Sequence, residues 1–342
     1  MKKRNFTFVS AALLFVLPLS TVQAFGQAQS VEKLPPNRLA TNLAGATTAI
    51  SAPDGFNPVE ASDAELALYG FPPRPNASLE PKAFATWSRA MAHSATKVMP
   101  VLEQTKIFHG PAKNPTAPKI AETTSTTSSN WSAVVDFSGA SSYNTTSTFY
   151  YVYSYYVVPV AQAASCNATW DYSSSWVGID GYGTADVLQA GTESDAYCSG
   201  STTTTYYSPW YEWYPYGEVR VTSVPVAPGD DIFVEVWHTT STQGYAYLVN
   251  ETTGKYFDIG FTAYPGYPLV GNCAEWVVER PSVGGSLATL TKYTDDVFWD
   301  AGAETENYTF YTPSYSGAYL VSMPSGPSYP DVIGPQAIWF YQ

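Results

Sequence analysis

Positive charge is what this chain has least of. Its 342 residues carry 16 Lys/Arg against 29 Asp/Glu, and the deficit is uneven. Residues 122–342 hold 4 Lys/Arg and 22 Asp/Glu, net −18, whereas residues 25–121 hold 9 and 7, net +2. The acidic part therefore lacks the Lys/Arg that phosphate binding needs, which excludes nucleic acid as its partner. Histidine is also scarce. The acidic part has only His238, at the end of an apolar strand beside Trp237, where a structural role is expected. H-E-x-x-H, G-x-S-x-G and any D-T-G or D-S-G repeat are missing, so a zinc protease, a nucleophile-elbow hydrolase and a pepsin-like aspartate pair have no obvious seat. The three cysteines, Cys166, Cys198 and Cys273, fit no zinc spacing. Cys166 and Cys198 flank the segment from Trp176 to Gly191 and are the expected disulfide. No metal or cofactor motif is present, and neither is expected.

Long apolar runs are missing as well. Val9 to Leu19 is too short for the roughly 20 residues of a membrane helix, and nothing later is longer. With Lys2, Lys3 and Arg4 before it and Val22-Gln23-Ala24 after it, this run reads as a secretory signal over residues 1–24. A secreted protein with no membrane partner is expected. In strong acid the acidic part keeps Arg220, Lys255, Arg280, Lys292, His238 and its amino terminus as its only cations, so charge repulsion in the folded state stays small.

Residues 25–127 read as a propeptide and linker. Residues 25–60 look weakly structured. Ser62 to Tyr69 reads as a short helix that runs into the rigid G-F-P-P-R-P of Gly70 to Pro75. Pro81 to Val98 reads as a second helix with Phe84, Trp87, Met91, Ala95 and Val98 on one stripe. Residues 110–129 are poor in apolar side chains and read as a protease-accessible linker. The basic balance of this segment beside an acidic domain suggests that it covers the cleft as an inhibitor, with Arg74 near a carboxylate.

From 128 to 342 the chain reads as one all-β domain, an antiparallel β-sandwich. Phe149 to Val158, Glu218 to Val224, Ile232 to Trp237, Tyr245 to Asn250, Tyr256 to Phe261 and Ala274 to Glu279 are aromatic and β-branched strands separated by turns. Glu251 to Lys255 is a turn with Gly254 as its φ > 0 residue.

With the usual hydrolase motifs gone, carboxylates, amides and aromatics remain. Asp186 to Gly191 reads as a strand on which Val187 and Gln189 share one face and Leu188 and Ala190 the other. On Cys273 to Glu279 the apolar face is Ala274, Trp276 and Val278, and Glu275, Val277 and Glu279 face the other way. By spacing alone each polar residue reads first as a solvent-facing strand residue. Brought together over one cleft, Gln189 and Glu275 form a candidate active site. A carboxylate at Glu275 can take a proton from water, and the Gln189 amide can donate to the oxyanion that forms.

The quoted segments resemble a known family. Asn130-Trp131-Ser132, W-V-G-I-D-G (Trp176 to Gly181), L-Q-A-G (Leu188 to Gly191), W-Y-E-W-Y-P (Trp210 to Pro215), A-P-G-D (Ala227 to Asp230) and N-C-A-E-W-V-V-E (Asn272 to Glu279) are similar, in that order, to the eqolisins, the glutamic peptidases. The resemblance implies a sandwich of two curved seven-stranded sheets, a concanavalin-like jelly roll. It also implies a pepstatin-insensitive acid endopeptidase with a Gln/Glu dyad at Gln189 and Glu275. Trp131, Trp176, Asp180, Glu193, Glu212 and Tyr214 are implied to line the cleft. Polypeptide substrates, the chain's own propeptide as inhibitor and a monomeric state are the corresponding expectations.

Two other classes fit the residues. A β-sandwich glycosidase would pair Glu212 with Glu275 at about 5–10 Å. A carbohydrate-binding module would use the aromatic platforms without catalysis.

Overall fold

A computed structural model of the chain describes residues 37–115, 125–143 and 146–342. The expected signal at 1–24 lies outside the described residues, as does the middle of the expected linker. Among the described residues no helix is long and apolar enough to cross a membrane.

Two antiparallel sheets carry the fold, as the strand pattern requires. The outer sheet runs Arg38–Ala40, Thr47–Ala49, Lys255–Thr262, Gln243–Asn250, Asp231–Thr240, Phe149–Val157, Asp296–Thr305, Ala337–Tyr341, Tyr329–Gly334. Five strands at the heart of the other sheet carry the site: β1 (Trp131–Phe137), β2 (Ser174–Ile179), β3 (Val187–Ser199), β4 (Thr202–Tyr214) and β5 (Cys273–Glu279), in the spatial order β4-β3-β2-β5-β1. Alternation decides which side chains go where. Leu188, Ala190, Trp213, Ala274, Trp276 and Val278 point to the outer sheet and pack there with Val152, Ile232, Val234, Leu248 and Phe257. Each buried Leu, Ile, Val or Phe among them contributes about 1.5–3 kcal/mol. The opposite face, with Trp131, Val135, Trp176, Val187, Trp210 and Val277, forms a separate cluster and is the cleft floor.

The sheets hold eleven and ten strands rather than the expected seven each, through short edge strands of the domain itself and further strands that the N-terminal segment adds to both. Arg38–Ala40 pairs with Thr47–Ala49, which joins the outer sheet at Gly260, and Leu102–Gln104 pairs with Val219–Val221 at the edge of the cleft sheet. The segment expected to be weakly structured is thus ordered from Asn37 onward by pairing with a sheet edge, a stabilisation that its composition does not display. Ser62 caps α1 (Asp63–Tyr69) through a capping box with Glu65. The second helix, α2 (Pro81–His93), stops earlier than expected, and Thr96–Lys97 turns into a strand beside Lys255–Thr262. Ala95 and Val98 therefore leave the helical stripe, while Trp87 and Met91 pack on Tyr155, Phe233 and Tyr247 of the outer sheet.

One buried carboxylate fastens this segment. Asp258 lies 2.8 Å from Arg38 and 2.6 Å from Lys97, and accepts from Thr48 Oγ1 at 2.9 Å and Ala49 N at 3.0 Å. Gly70 passes so close that an added Cβ would stand 2.4 Å from Asp258 Cγ, and its φ of +78° also favours glycine. Arg74 is not at the cleft. It bonds the carbonyls of Pro58 and Ala61, lies 3.9 Å from Asp63 and covers Trp87. Prolines on both sides leave its head facing its own segment.

The turn at Glu251 has Gly254 at φ +68°, as expected. The Glu251 side chain is buried, accepting from Arg89 at 2.9 Å and from Tyr155 at 2.5 Å, and Asn250 is buried with its amide on Asp230. Cys166 and Cys198 form the expected disulfide and Cys273 is free and buried. His238 is a core histidine between Phe149 O and Tyr143, and burial lowers its pKa to about 4.

Candidate active site

Strand register places the two candidate residues together. Gly178 of β2 stands opposite Gln189 of β3 on one side and opposite Glu275 of β5 on the other. Residues directly opposite point to the same face, so Gln189 and Glu275 share the cleft with only a glycine between them. Glu212 of β4 continues the row beyond Gln189, and Val135 of β1 continues it beyond Glu275. The next row on this face is Trp210, Gly191, Trp176, Val277 and Ala133. After it come Glu193, Ser174, Glu279 and Trp131.

The chain's own N-terminal segment lies in this cleft. Ile107–Phe108 pairs with Ser282–Val283, and the following residues cross the rows. The Gln189 side-chain amide donates to the backbone carbonyl of His109. The His109 backbone N–H donates to Glu212 at 2.9 Å. Trp131 Nε1 donates to Gly110 O at 3.1 Å, Ala112 N donates to Gly181 O at 3.0 Å, and Lys113 N donates to Asn130 at 2.7 Å. The His109 ring stacks on Trp210 with centroids 3.9 Å apart at 9°. Its Nε2 is 2.9 Å from Glu218 and its Nδ1 is 3.4 Å from Glu279, with all three side chains buried.

Burial alone would lower the His109 pKa, but hydrogen bonding to Glu218 and Glu279 outweighs it and holds the imidazolium to about 10. Burial raises Glu279, while His109, Asn130 and Trp176 oppose that rise. Glu212 is held well above the ordinary range by burial, offset in part by His109. Glu275 is also far above it, through burial first and then the neighbouring charge of Asp180. Neither Glu275 oxygen has a hydrogen-bond partner among the described residues. Among those residues, no group of three or more His, Cys, Asp or Glu is arranged to hold a metal ion.

The sequence-derived residues therefore divide. Trp131, Trp176, Glu212 and Tyr214 surround the inserted segment. Trp131 and Trp176 meet edge to face at 5.1 Å, and a Cβ on Gly110 would touch the Tyr214 ring at 3.0 Å. Glu193 stands two rows from Gln189 and is bound by Arg220 at 2.8 Å. Asp180 lies near enough to Glu275 for its charge to raise that carboxyl. Its carboxylate takes the N–H groups of Val270, Gly271 and Asn272 at 2.7–2.9 Å and so anchors the loop leading into β5.

Residues 135–328 match the Peptidase A4 family, more than half of the chain. The chain belongs to the Peptidase A4 family. Two curated relatives are 34% identical: aspergillopepsin-2 of Aspergillus niger over 139 residues (40% of this chain, 48% of that one) and scytalidopepsin B of Scytalidium lignicola over 122 residues (36% and 43%). The chain thus spans about half the length of the curated relatives it matches. A crystal structure of scytalido-glutamic peptidase with a transition state analog inhibitor shares the fold, with a TM-score of 0.51 at 23% identity over 62% of this chain and 98% of that one.

The Peptidase A4 match begins within β1, so the inserted segment precedes it. His109 is the residue that sequence reasoning missed. Its signal was faint: a histidine in I-F-H-G-P, where an apolar pair meets a Pro-rich linker in the basic part of a chain with three histidines.

Proposed function

We propose that this protein is an acid-acting, pepstatin-insensitive glutamic endopeptidase, secreted as a zymogen and monomeric, whose dyad is Gln189 and Glu275. The observation that carries the reading is the bond from the Gln189 amide to a backbone carbonyl of the inserted segment, in the same row as Glu275. A peptide carbonyl held there has an N–H donor at its oxygen and a carboxyl two strands away. Ionised Glu275 takes a proton from water as the water oxygen bonds the carbonyl carbon. The charge that develops on the carbonyl oxygen is met by the Gln189 N–H, and Glu275 returns the proton to the leaving nitrogen as the C–N bond breaks. An amide in place of a second carboxylate avoids like-charge repulsion beside the oxyanion.

Residues 107–113 act as the inhibitor in this reading. Beneath them Glu275 is buried and favours its protonated form, so it has no free carboxylate lone pair to take the proton from water. The imidazolium of His109 faces Glu218 and Glu279, with Arg220 behind Glu218, and its backbone N–H is held by Glu212. Cleavage of the linker that follows frees the segment and makes the release permanent.

A glycosidase is less well supported. Glu212 and Glu275 are three strand spacings apart, about 14 Å at the backbone, against about 5–10 Å for a sugar-flanking pair. The test is to hold the purified chain at about pH 3, where ordinary carboxylates are mostly protonated, and assay casein with and without pepstatin, alongside a β-glucan. Casein hydrolysis unaffected by pepstatin is expected. Glucan hydrolysis with casein untouched overturns the reading.

A further inference from the structure

His109 fills a pocket whose chemistry is more particular than plugging a cleft requires. One wall is the flat face of Trp210, against which the imidazole lies parallel at 3.9 Å. At the ring edge Glu218 receives Nε2 at 2.9 Å and Glu279 approaches Nδ1 at 3.4 Å. Glu218 is itself held in place, since Arg220 Nε lies 3.2 Å from its other oxygen. An aromatic face with carboxylates at both ends of a planar ring is suited to a flat cation, and an apolar ring of the same size would give neither acid an N–H at that edge. The backbone of the same residue sets where this pocket lies in the reaction. The His109 carbonyl takes the Gln189 amide, so its side chain occupies the position immediately before the bond that would be cut.

We infer that Glu218, together with Trp210 and Glu279, makes the subsite on the acyl side of the cleaved bond selective for a planar cationic side chain, histidine foremost and arginine next. The inference rests on the peptidase reading and extends it to substrate choice. It also gives the inserted segment a second character: a peptide bound with its preferred residue in place.

The test uses the full chain after acid treatment, with internally quenched peptides of sequence Ile-Phe-Xaa-Gly-Ala-Ala, Xaa being His, Arg, Phe or Leu. The His peptide should be cut after Xaa with a kcat/KM at least tenfold above the Phe peptide, mainly through a lower KM. Glu218→Gln should bring the His-to-Phe ratio close to one. The ratio is read within one preparation, so loss of folded enzyme cancels from it. Without any variant, the peptide Ile-Phe-His-Gly-Pro should compete in initial-rate assays at least tenfold better than Ile-Phe-Phe-Gly-Pro. Cleavage of the Phe or Leu peptide as good as that of the His peptide overturns the inference and leaves the peptidase reading standing. A Glu218→Gln enzyme that keeps the full histidine preference does the same. If none of the peptides is cut in acid while the fold is intact, the peptidase reading itself falls.

Discussion

Gln189 and Glu275 stand two strands apart with only the bare Cα of Gly178 between them. A methyl group there would lie 3.1 Å from Glu275 Oε1, 3.3 Å from Gln189 Cβ and 2.8 Å from the Trp176 ring. Gly178→Ala should therefore cost at least tenfold in kcat on casein, since a displacement of a few tenths of an ångström at both reacting groups degrades their alignment. Retention of full activity would mean that the space between them has no catalytic use.

The dyad itself should fail asymmetrically. Glu275→Gln keeps the shape but removes the proton acceptor, so turnover should vanish almost completely. Gln189→Ala removes one oxyanion donor and should cost on the order of 10²–10³ in kcat. Steady-state kinetics on activated protein decide the point. Exposed Asp331, which stays in the chain after processing, serves as the neutral control.

Replacing the inhibitory imidazolium should move activation toward neutral pH. His109→Ala loses the Trp210 stack and both carboxylate contacts. The pH of half-maximal self-processing should rise by about one unit or more. N-terminal sequencing should place the new terminus between Asn114 and Ser125, because Lys113 is held by Asn130 on one side and Ser125–Thr127 is a strand of the cleft sheet on the other. A terminus upstream of Trp87, or no shift in the pH of processing, contradicts the inhibitor reading.

Stability should be greatest in acid. Burial raises Asp136 and Asp186 to about 8 and Asp296 and Glu193 to about 7. A carboxyl with a raised folded pKa favours the folded state fully only below its unfolded value near 4, and that contribution disappears as pH rises through 7 to 8. His238 acts oppositely. Its folded pKa of about 4 lies below the ordinary value near 6.5, so it costs stability as pH falls across that interval. Four carboxyls outweigh one imidazole, and the melting temperature should be higher at pH 4 than at pH 8 by more than about 5 °C. Calorimetry across that range checks the sign.

Asp258→Asn should loosen the N-terminal segment while leaving the sandwich folded. It removes the partner of Arg38 and Lys97, and breaking a buried pair costs about 3–5 kcal/mol. Limited proteolysis at neutral pH should then cut between Asn37 and His109 far faster than in the wild-type chain.

Much of the sandwich is legible in the sequence because its strands alternate cleanly. Leu188 and Ala190 against Gln189, and Trp276 against Glu275, assign core and cleft faces with no further information. What is not legible depends on pairing across long separations. Nothing near Thr47 announces that it will join Gly260, so residues 37–60 read as loose although the sheet edge orders them. Asp186 to Gly191 reads as a short strand because Thr192 to Ser199 is mostly small and polar, yet pairing with β4 carries it to Ser199. Asp180 sits in a motif with cleft residues, and only the fold shows that its carboxylate is used by backbone amides from 90 residues away. His109 lies outside every motif and becomes visible only when the segment is seen threaded over Gln189.

The strands Arg38–Ala40 and Thr47–Ala49 cap the outer sheet beside Lys255–Thr262, and Thr96–Lys97 pairs there as well. If maturation removes everything before Ser125, Lys255–Thr262 loses these neighbours and becomes an open border. Its unpaired N–H and C=O groups, next to Tyr256, Phe257 and Phe261, then offer a template for a strand of another molecule. If the segment across the cleft is the inhibitor proposed above, it also shields this sheet edge, so release from inhibition and exposure to aggregation would occur in one event, and the mature form should be the one whose solubility depends on concentration.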